Sequence, residues 1–180
     1  MEANCMKNVV LFGMMCLMAL SMQTQHVGYG NTFLERATGN RLVNTLSAVP
    51  AGYVDLGLPS GTLWKDKNED GFFNYNEAVG RFGSKLPSKE KFEELKSECK
   101  WEWNGSGYKV TGPNGNSIVL PASGYRSCSG SVYRVGSYGH YWFSTPEDSD
   151  YAWNLNFNSG GVSMDSNNHC YGLSVRLVQD

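Results

Sequence analysis

Lysine is missing from the last third of this 180-residue chain: Lys109 is the final one, although the sequence runs to Asp180. Charge is sparse throughout. Asp, Glu, Lys and Arg make up 18% of the residues, and the formal net charge is -2. With a sequence pI near 5.9 there is no basic footprint, so nucleic acid is excluded as a main partner. Long apolar runs are also lacking. The one continuous run, Val9 to Leu20, is too short for a comfortable membrane span, and no second one follows. There are no internal repeats, no nucleophile elbow and no Cys-His signature, so an enzymatic reading lacks an anchor and the protein is read as a non-enzyme. No cofactor is implied.

What is present begins with an export signal. Lys7 precedes the apolar run, and Ala19 and Ser21 supply small residues at signal-peptidase spacing. Residues 1–21 are therefore read as a signal peptide. The mature protein is expected to be exported, at the cell surface, in the periplasm or secreted, with no transmembrane segment after cleavage. Residues 22–50 are polar and irregular, with a short helix predicted around Phe33 to Leu46, and read as a linker or attachment segment. Residues 51–180 form the domain. Export leaves Cys99, Cys128 and Cys170 in an oxidising setting, so at most one intrachain disulfide forms and one thiol is left over. Spacing does not choose the pair.

Within the domain, alternation predicts strands at Tyr53–Leu58 and Thr62–Trp64. A first helix starts at Asn74, with Glu77 completing a capping box, carries Ala78, Val79 and Phe82 on its apolar side and stops at Gly83. A second helix opens with Ser88 as cap and buries Phe92, Leu95 and Cys99. Strands follow, with Tyr108/Val110 and Ile118/Leu120 facing inward, and later ones at Tyr141–Ser144, Ala152–Asn158, Gly161–Asp165 and Leu173–Val178. Local helices followed by antiparallel strands make the fold class α+β.

Asp66-Lys67-Asn68-Glu69-Asp70-Gly71, with Glu77 at the twelfth position, fits a calcium-loop pattern. The upstream Leu58-Pro59-Ser60-Gly61 cannot be the incoming helix that an EF-hand needs, and Glu77 is already occupied by the capping box. Calcium at the Asp66–Glu77 loop stays an open alternative and not the favoured one. Arg176 reads as a structural arginine tying the closing strand to a neighbouring loop, with Val175 and Leu177 inward and Ser174 and Arg176 away from the core.

The centre of the last third is Tyr151-Ala152-Trp153-Asn154-Leu155-Asn156-Phe157-Asn158. A strand sends alternate side chains to opposite faces, so Trp153, Leu155 and Phe157 are expected on a core and the three amides outside. Asn is a poor strand former, and solvent alone would not require three in register. Tyr, Ser, Asn and Gly are also the composition of antigen-binding loops. A recognition surface is therefore expected from the aromatics Tyr133, Tyr138, His140, His169 and Tyr171. Asn154, Asn156, Asn158, Ser163, Asp165 and Asn168 are expected to supply its polar groups. The expected ligand is an extracellular protein or glycan.

Four segments together resemble the Fibrobacter succinogenes major paralogous domain, common in exported proteins of gut Bacteroidetes. They are Tyr53-Val54-Asp55-Leu56-Gly57-Leu58-Pro59-Ser60-Gly61-Thr62-Leu63-Trp64, Lys85-Leu86-Pro87-Ser88-Lys89-Glu90-Lys91-Phe92-Glu93-Glu94-Leu95, Gly107-Tyr108-Lys109-Val110-Thr111-Gly112-Pro113-Asn114-Gly115-Asn116-Ser117-Ile118-Val119-Leu120-Pro121-Ala122 and Gly172-Leu173-Ser174-Val175-Arg176-Leu177-Val178. The resemblance implies a C-type lectin-like fold, with two helices flanking small antiparallel sheets and the terminal strands paired. Leu86-Pro87-Ser88-Lys89-Glu90 is similar to the helix entrance of formylglycine-generating enzymes. Those enzymes use two cysteines near the C-terminus, where this chain has only Cys170. The triplets of calcium-dependent sugar binding are also absent, since Pro146-Glu147-Asp148 and Trp153-Asn154-Leu155 stand in their place. The Asn-rich stretch resembles the variable region of proteins diversified by retroelements. A structural subunit of a surface assembly, or an enzyme related to the formylglycine-generating group, are the alternatives.

Overall fold

A computed structural model describes residues 48–180. The expected signal peptide at 1–21, the helix around Phe33 to Leu46 and all but the end of the attachment segment lie outside the described residues. Among these residues the class is α+β, with two helices and several small antiparallel sheets. No helix among them is long and apolar enough to cross a membrane.

The first sheet contains β1 (Tyr53–Asp55), β2 (Leu63–Lys65) and the closing strand β11 (Val178–Gln179), in the order β1-β2-β11. Both pairings are antiparallel, with Val178 opposite Trp64, so the last described strand is stitched to one of the first. Between them come α1 (Tyr75–Phe82) and α2 (Lys89–Glu98). A meander of β3 (Lys100–Trp103), β4 (Gly107–Thr111) and β5 (Ser117–Pro121) follows. A short hairpin pairs β6 (Tyr125–Arg126) with β7 (Val132–Tyr133). The largest sheet then folds as β8 (Gly139–Pro146), β9 (Tyr151–Asn158) and β10 (Gly161–Asn168), with β9 central.

Local chemistry explains the helix ends. Asn74 Oδ1 accepts the Glu77 N–H at 2.9 Å while Glu77 Oε2 accepts the Asn74 N–H at 2.9 Å, which satisfies two amides that the first turn would leave bare. Gly83 ends α1 at φ 53°, as its position predicts. Ala78 is buried, whereas Val79 faces solvent, and Tyr75 takes the core position instead. Ser88 stands at the N-cap of α2 without capping through its side chain. The Lys89 N–H is instead met by Thr145 Oγ1 at 3.1 Å, a partner 56 residues away that alternation could not disclose. Phe92 and Leu95 are buried as expected, and Cys99 sits just past the helix, half-buried. Burial there pushes its thiol up to about 11.

Two apolar clusters flank the large sheet. On one face Tyr141, Phe143, Leu155 and Phe157 pack against α2 and the β3–β5 meander, where Tyr108, Val110, Ile118 and Leu120 all point inward as predicted. Phe92 stacks on Phe143 at 4.6 Å between ring centroids and meets Trp64 edge-on at 5.0 Å, so α2 is anchored by about 2–3 kcal/mol for that one ring. On the other face Trp142 and Ala152 pack against α1 and the segment Leu173–Leu177.

That segment departs from expectation. Only Val178 and Gln179 are strand, while Leu173 and Ser174 form isolated bridges to Phe73 and Tyr141. Leu173 through Val178 are all buried, so Ser174 and Arg176 do not face away from the core. A segment enclosed on both sides has no outward face to offer. Arg176, 1% exposed, donates from Nε to Asn68 Oδ1 (2.9 Å), from Nη1 to the Lys65 carbonyl (2.8 Å) and from Nη2 to the Val119 carbonyl (2.6 Å). Asn68 in turn donates to the Tyr141 hydroxyl, which donates to the Pro121 carbonyl at 2.7 Å.

Hydrogen bonds to a charged group contribute about 1.5–3 kcal/mol each, and removing the donor strands three part-buried acceptors. Arg176→Gln is therefore expected to lower unfolding stability by about 3 kcal/mol or more in urea titration. Arg176→Lys should recover little of it, because an ammonium cannot reach three diverging acceptors. A loss under 1 kcal/mol for the Gln variant would contradict the structural role.

Candidate functional site

The register of the large sheet decides which of the expected recognition residues share a face. His140, Asn156 and Ser163 lie directly opposite one another across β8, β9 and β10, and Trp142, Asn154 and Asp165 form the next row. Opposed residues point the same way, so this is one polar face. It is not an open one. Trp142 and Ala152 carry the second apolar cluster on it, and the hairpin region and Leu173 cover more. Asn154 is 0% exposed, which corrects its expected outward placement. Its Nδ2 donates to the Asp165 carbonyl at 3.0 Å, and its Oδ1 has no partner among the described residues. Replacing Asn154 is a change to the interior, not to a display surface.

The remaining amides divide by role. Asn158 Oδ1 accepts the Gly160 N–H at 2.7 Å and Asn168 Oδ1 accepts the Cys170 N–H at 3.1 Å, so both fold their own turns. Asp165 Oδ1 accepts the Ser166 N–H, and the Ser163 hydroxyl reaches the Asn156 carbonyl at 3.4 Å. Asn156 is half-buried with its Oδ1 unpartnered. The amide row is thus mostly structural.

Four of the expected aromatics converge elsewhere, around a residue that sequence reasoning missed. Tyr125 lies 5.2 Å from the His140 ring and 5.8 Å from each of Tyr133 and Tyr171. Tyr138 stacks over His140 at 6.2 Å. Tyr125, Arg134, Tyr138, His140, Asn167 and Tyr171 line a cavity of about 250 Å³, with Leu173 at its base. The available signal was Gly124 before Tyr125 and Gly139 before His140. A Cβ at Gly124 would stand 2.1 Å from the Tyr133 carbonyl oxygen, and one at Gly139 would stand 2.0 Å from the Phe157 ring. Both glycines permit close backbone approach that sets the neighbouring ring.

The wall carrying Arg134 is clamped. Its carbonyl accepts N–H groups from Ser137 and Tyr138 and the Ser137 hydroxyl, while Gly124 and Gly136 N–H groups bond to Tyr138 and Ala122 carbonyls at 2.7 Å. Arg134 itself takes φ 59°, uncommon for a non-glycine residue. Its guanidinium lies 4.5 Å from the Tyr138 ring centroid. The opposite wall is joined to the hairpin covalently, because Cys128 and Cys170 form the disulfide, with Cα atoms 5.0 Å apart and a sequence separation of 42. Arg126 and Gly172 exchange both backbone hydrogen bonds beside it. Closing such a loop stabilises by about 2–4 kcal/mol.

Asn168 and His169 belong to a different cleft of about 650 Å³, with Asn74, Glu77, Asp150 and Cys170 on its border. His169 stacks on Tyr75 at 4.4 Å. The Cys170 sulfur there is bonded to Cys128 and offers no free thiol in this form. The calcium-like loop is committed to other work: Asn68 Oδ1 serves Arg176 and the Glu77 carboxylate serves the capping box. Among the described residues no three His, Cys, Asp or Glu side chains are grouped to hold a metal ion.

His140 is 9% exposed and its Nδ1 has no partner among the described residues. Burial holds the imidazole below its ordinary 6.5, helped by the Arg134 charge, while Asn154 and Asp165 pull the other way. The ring is therefore neutral at neutral pH. A histidine with a depressed folded-state value favours the native state fully above 6.5, and that contribution is lost as pH falls towards the folded value. The melting temperature is expected to drop as pH falls below 6.5. His140→Gln should flatten that part of the profile, and an unchanged slope in the variant would contradict the assignment.

A protein-family model described as "Domain of unknown function (DUF8237)" matches residues 101–178, from β3 to the start of β11. The matched stretch contains every residue of the Tyr125–His140 cavity and neither helix. No curated protein and no solved structure matches the chain.

Proposed function

We propose that this protein is an exported recognition domain of C-type lectin-like fold, related to the major paralogous domains, and that its ligand site is the cavity between Tyr125, Arg134, Tyr138, His140 and Tyr171. The ligand is a protein or glycan outside the cell. The observation that carries the reading is the convergence of Tyr133, His140 and Tyr171 on Tyr125 from three separate stretches of chain, with Tyr138 stacked on His140. Rigid rings give contact area at little entropic cost, and their hydroxyls give direction. The tyrosine hydroxyls that bond within the fold belong to Tyr75, Tyr108 and Tyr141, which leaves those of the cavity for a ligand. Support for the fold comes from the pairing of β2 with β11 and from two helices set beside small antiparallel sheets.

The test is an array of extracellular glycans and proteins probed with the full-length protein. A partner should be found whose binding is lost in Tyr138→Ala/Tyr171→Ala, with the melting temperature held within a few degrees. Binding that survives the double substitution would remove the cavity from the account. Diversification by a retroelement predicts a second pattern. Sibling genes from one strain should differ at Tyr133, Tyr138, Ser163 and Tyr171 and agree at Asn154, because only the latter is enclosed. Differences spread evenly over both groups would count against it.

A further inference from the structure

Resting on that reading, we infer that the Tyr125–His140 cavity takes a carboxylate-bearing sugar residue at the end of a glycan, with Arg134 pairing its carboxylate. Size sets the first limit. About 250 Å³ falls below the roughly 300–1,000 Å³ of sites for drug-sized ligands, so one ring is received and not a chain.

Charge sets the second. Arg134 is the one formal charge lining the cavity, and no Asp or Glu lines it. The ion pairs among the described residues are Lys65–Glu69, Lys91–Asp180, Lys100–Glu102 and Arg126–Glu77, and Arg134 belongs to none of them. Its guanidinium rests on the Tyr138 ring, which fixes one face of the fork and leaves its edge to donate. A planar guanidinium with a free edge matches a carboxylate in two parallel hydrogen bonds.

The third limit is the mixture of unmet polar groups. His140, more than nine-tenths buried, lines the cavity as a neutral ring with Nδ1 unpartnered. Asn167 lines it beside His140. An amide oxygen needs a donor, which a simple carboxylate side chain does not carry. A sugar acid carries both: hydroxyls for the Asn167 amide and the imidazole, a carboxylate for Arg134, and an apolar ring face for Tyr125 or Tyr171. An acidic peptide side chain would satisfy Arg134 and leave the Asn167 amide oxygen unmet.

The test titrates the full-length, disulfide-intact protein separately with D-glucuronate, N-acetylneuraminate and D-glucose, followed by NMR of the His140 ring and by calorimetry. At least one of the acids should bind, with glucose at least tenfold weaker. Arg134→Gln should cost the acid about tenfold or more, as loss of a charge-assisted pair does, and leave any glucose binding unchanged. Arg134→Lys should retain part of the preference. Acid and neutral sugar binding alike, or an Arg134→Gln variant as tight as the parent, overturns the inference and leaves the recognition reading standing. No sugar binding, together with a protein partner lost in Tyr138→Ala/Tyr171→Ala, also overturns it and moves the site to protein recognition. No sugar binding and no array partner overturns both.

Discussion

One buried guanidinium holds the domain's beginning, middle and end in register. Arg176 reaches the end of β2, the loop at Asn68 and the outer edge of the β3–β5 meander at Val119. Through Asn68 and Tyr141 the same network touches β8 and Pro121. Small sheets of three short strands are marginal alone, so their arrangement must come from what ties them together. A charge buried at this depth is tolerated only when it is hydrogen-bonded, and the three bonds of Arg176 require all these segments to be in place at once.

That constraint decides where the site lies. Because Arg176 and its neighbours draw Leu173–Leu177 across the second face of the large sheet, a face patterned as polar becomes an interior one. The polar row beneath is then partly enclosed, with Asn154 sealed and His140 nearly so, and the open remainder is the aromatic cavity. Its walls are strand residues of β6, β8 and β10 together with loops clamped by backbone hydrogen bonds, so the rings of the proposed site are held in place. Binding to prearranged rings costs less ordering entropy than binding to a mobile loop.

Much of this was legible in the sequence, for identifiable reasons. The capping box at Asn74 and Glu77 is a local exchange between residues three apart, and the inward pairs of β4 and β5 follow strict alternation. Arg176 was readable as a tie because a cation between valine and leucine needs a reason. Alternation says that two faces differ but not whether a second layer covers the polar one, and so it points Asn154, Ser174 and Arg176 outward where the structure encloses them. Tyr125 and Arg134 were not visible because their proximity depends on Gly124 passing under Tyr133 and on a left-handed turn at Arg134. The pairing of Cys128 with Cys170 likewise follows from the approach of Arg126 to Gly172, which no spacing rule contains.

The odd cysteine has a bearing on how the chain matures. A domain with three cysteines can close three different disulfides, and two of those would pull the hairpin from the wall that carries Tyr171. Cys99 is disarmed by its position: burial and the neighbouring Glu98 and Glu94 raise its thiol to about 11. At neutral pH that leaves about one part in ten thousand as thiolate, the form that attacks a disulfide. Once α2 has docked, Cys99 offers little thiolate to compete with the pairing of Cys128 and Cys170.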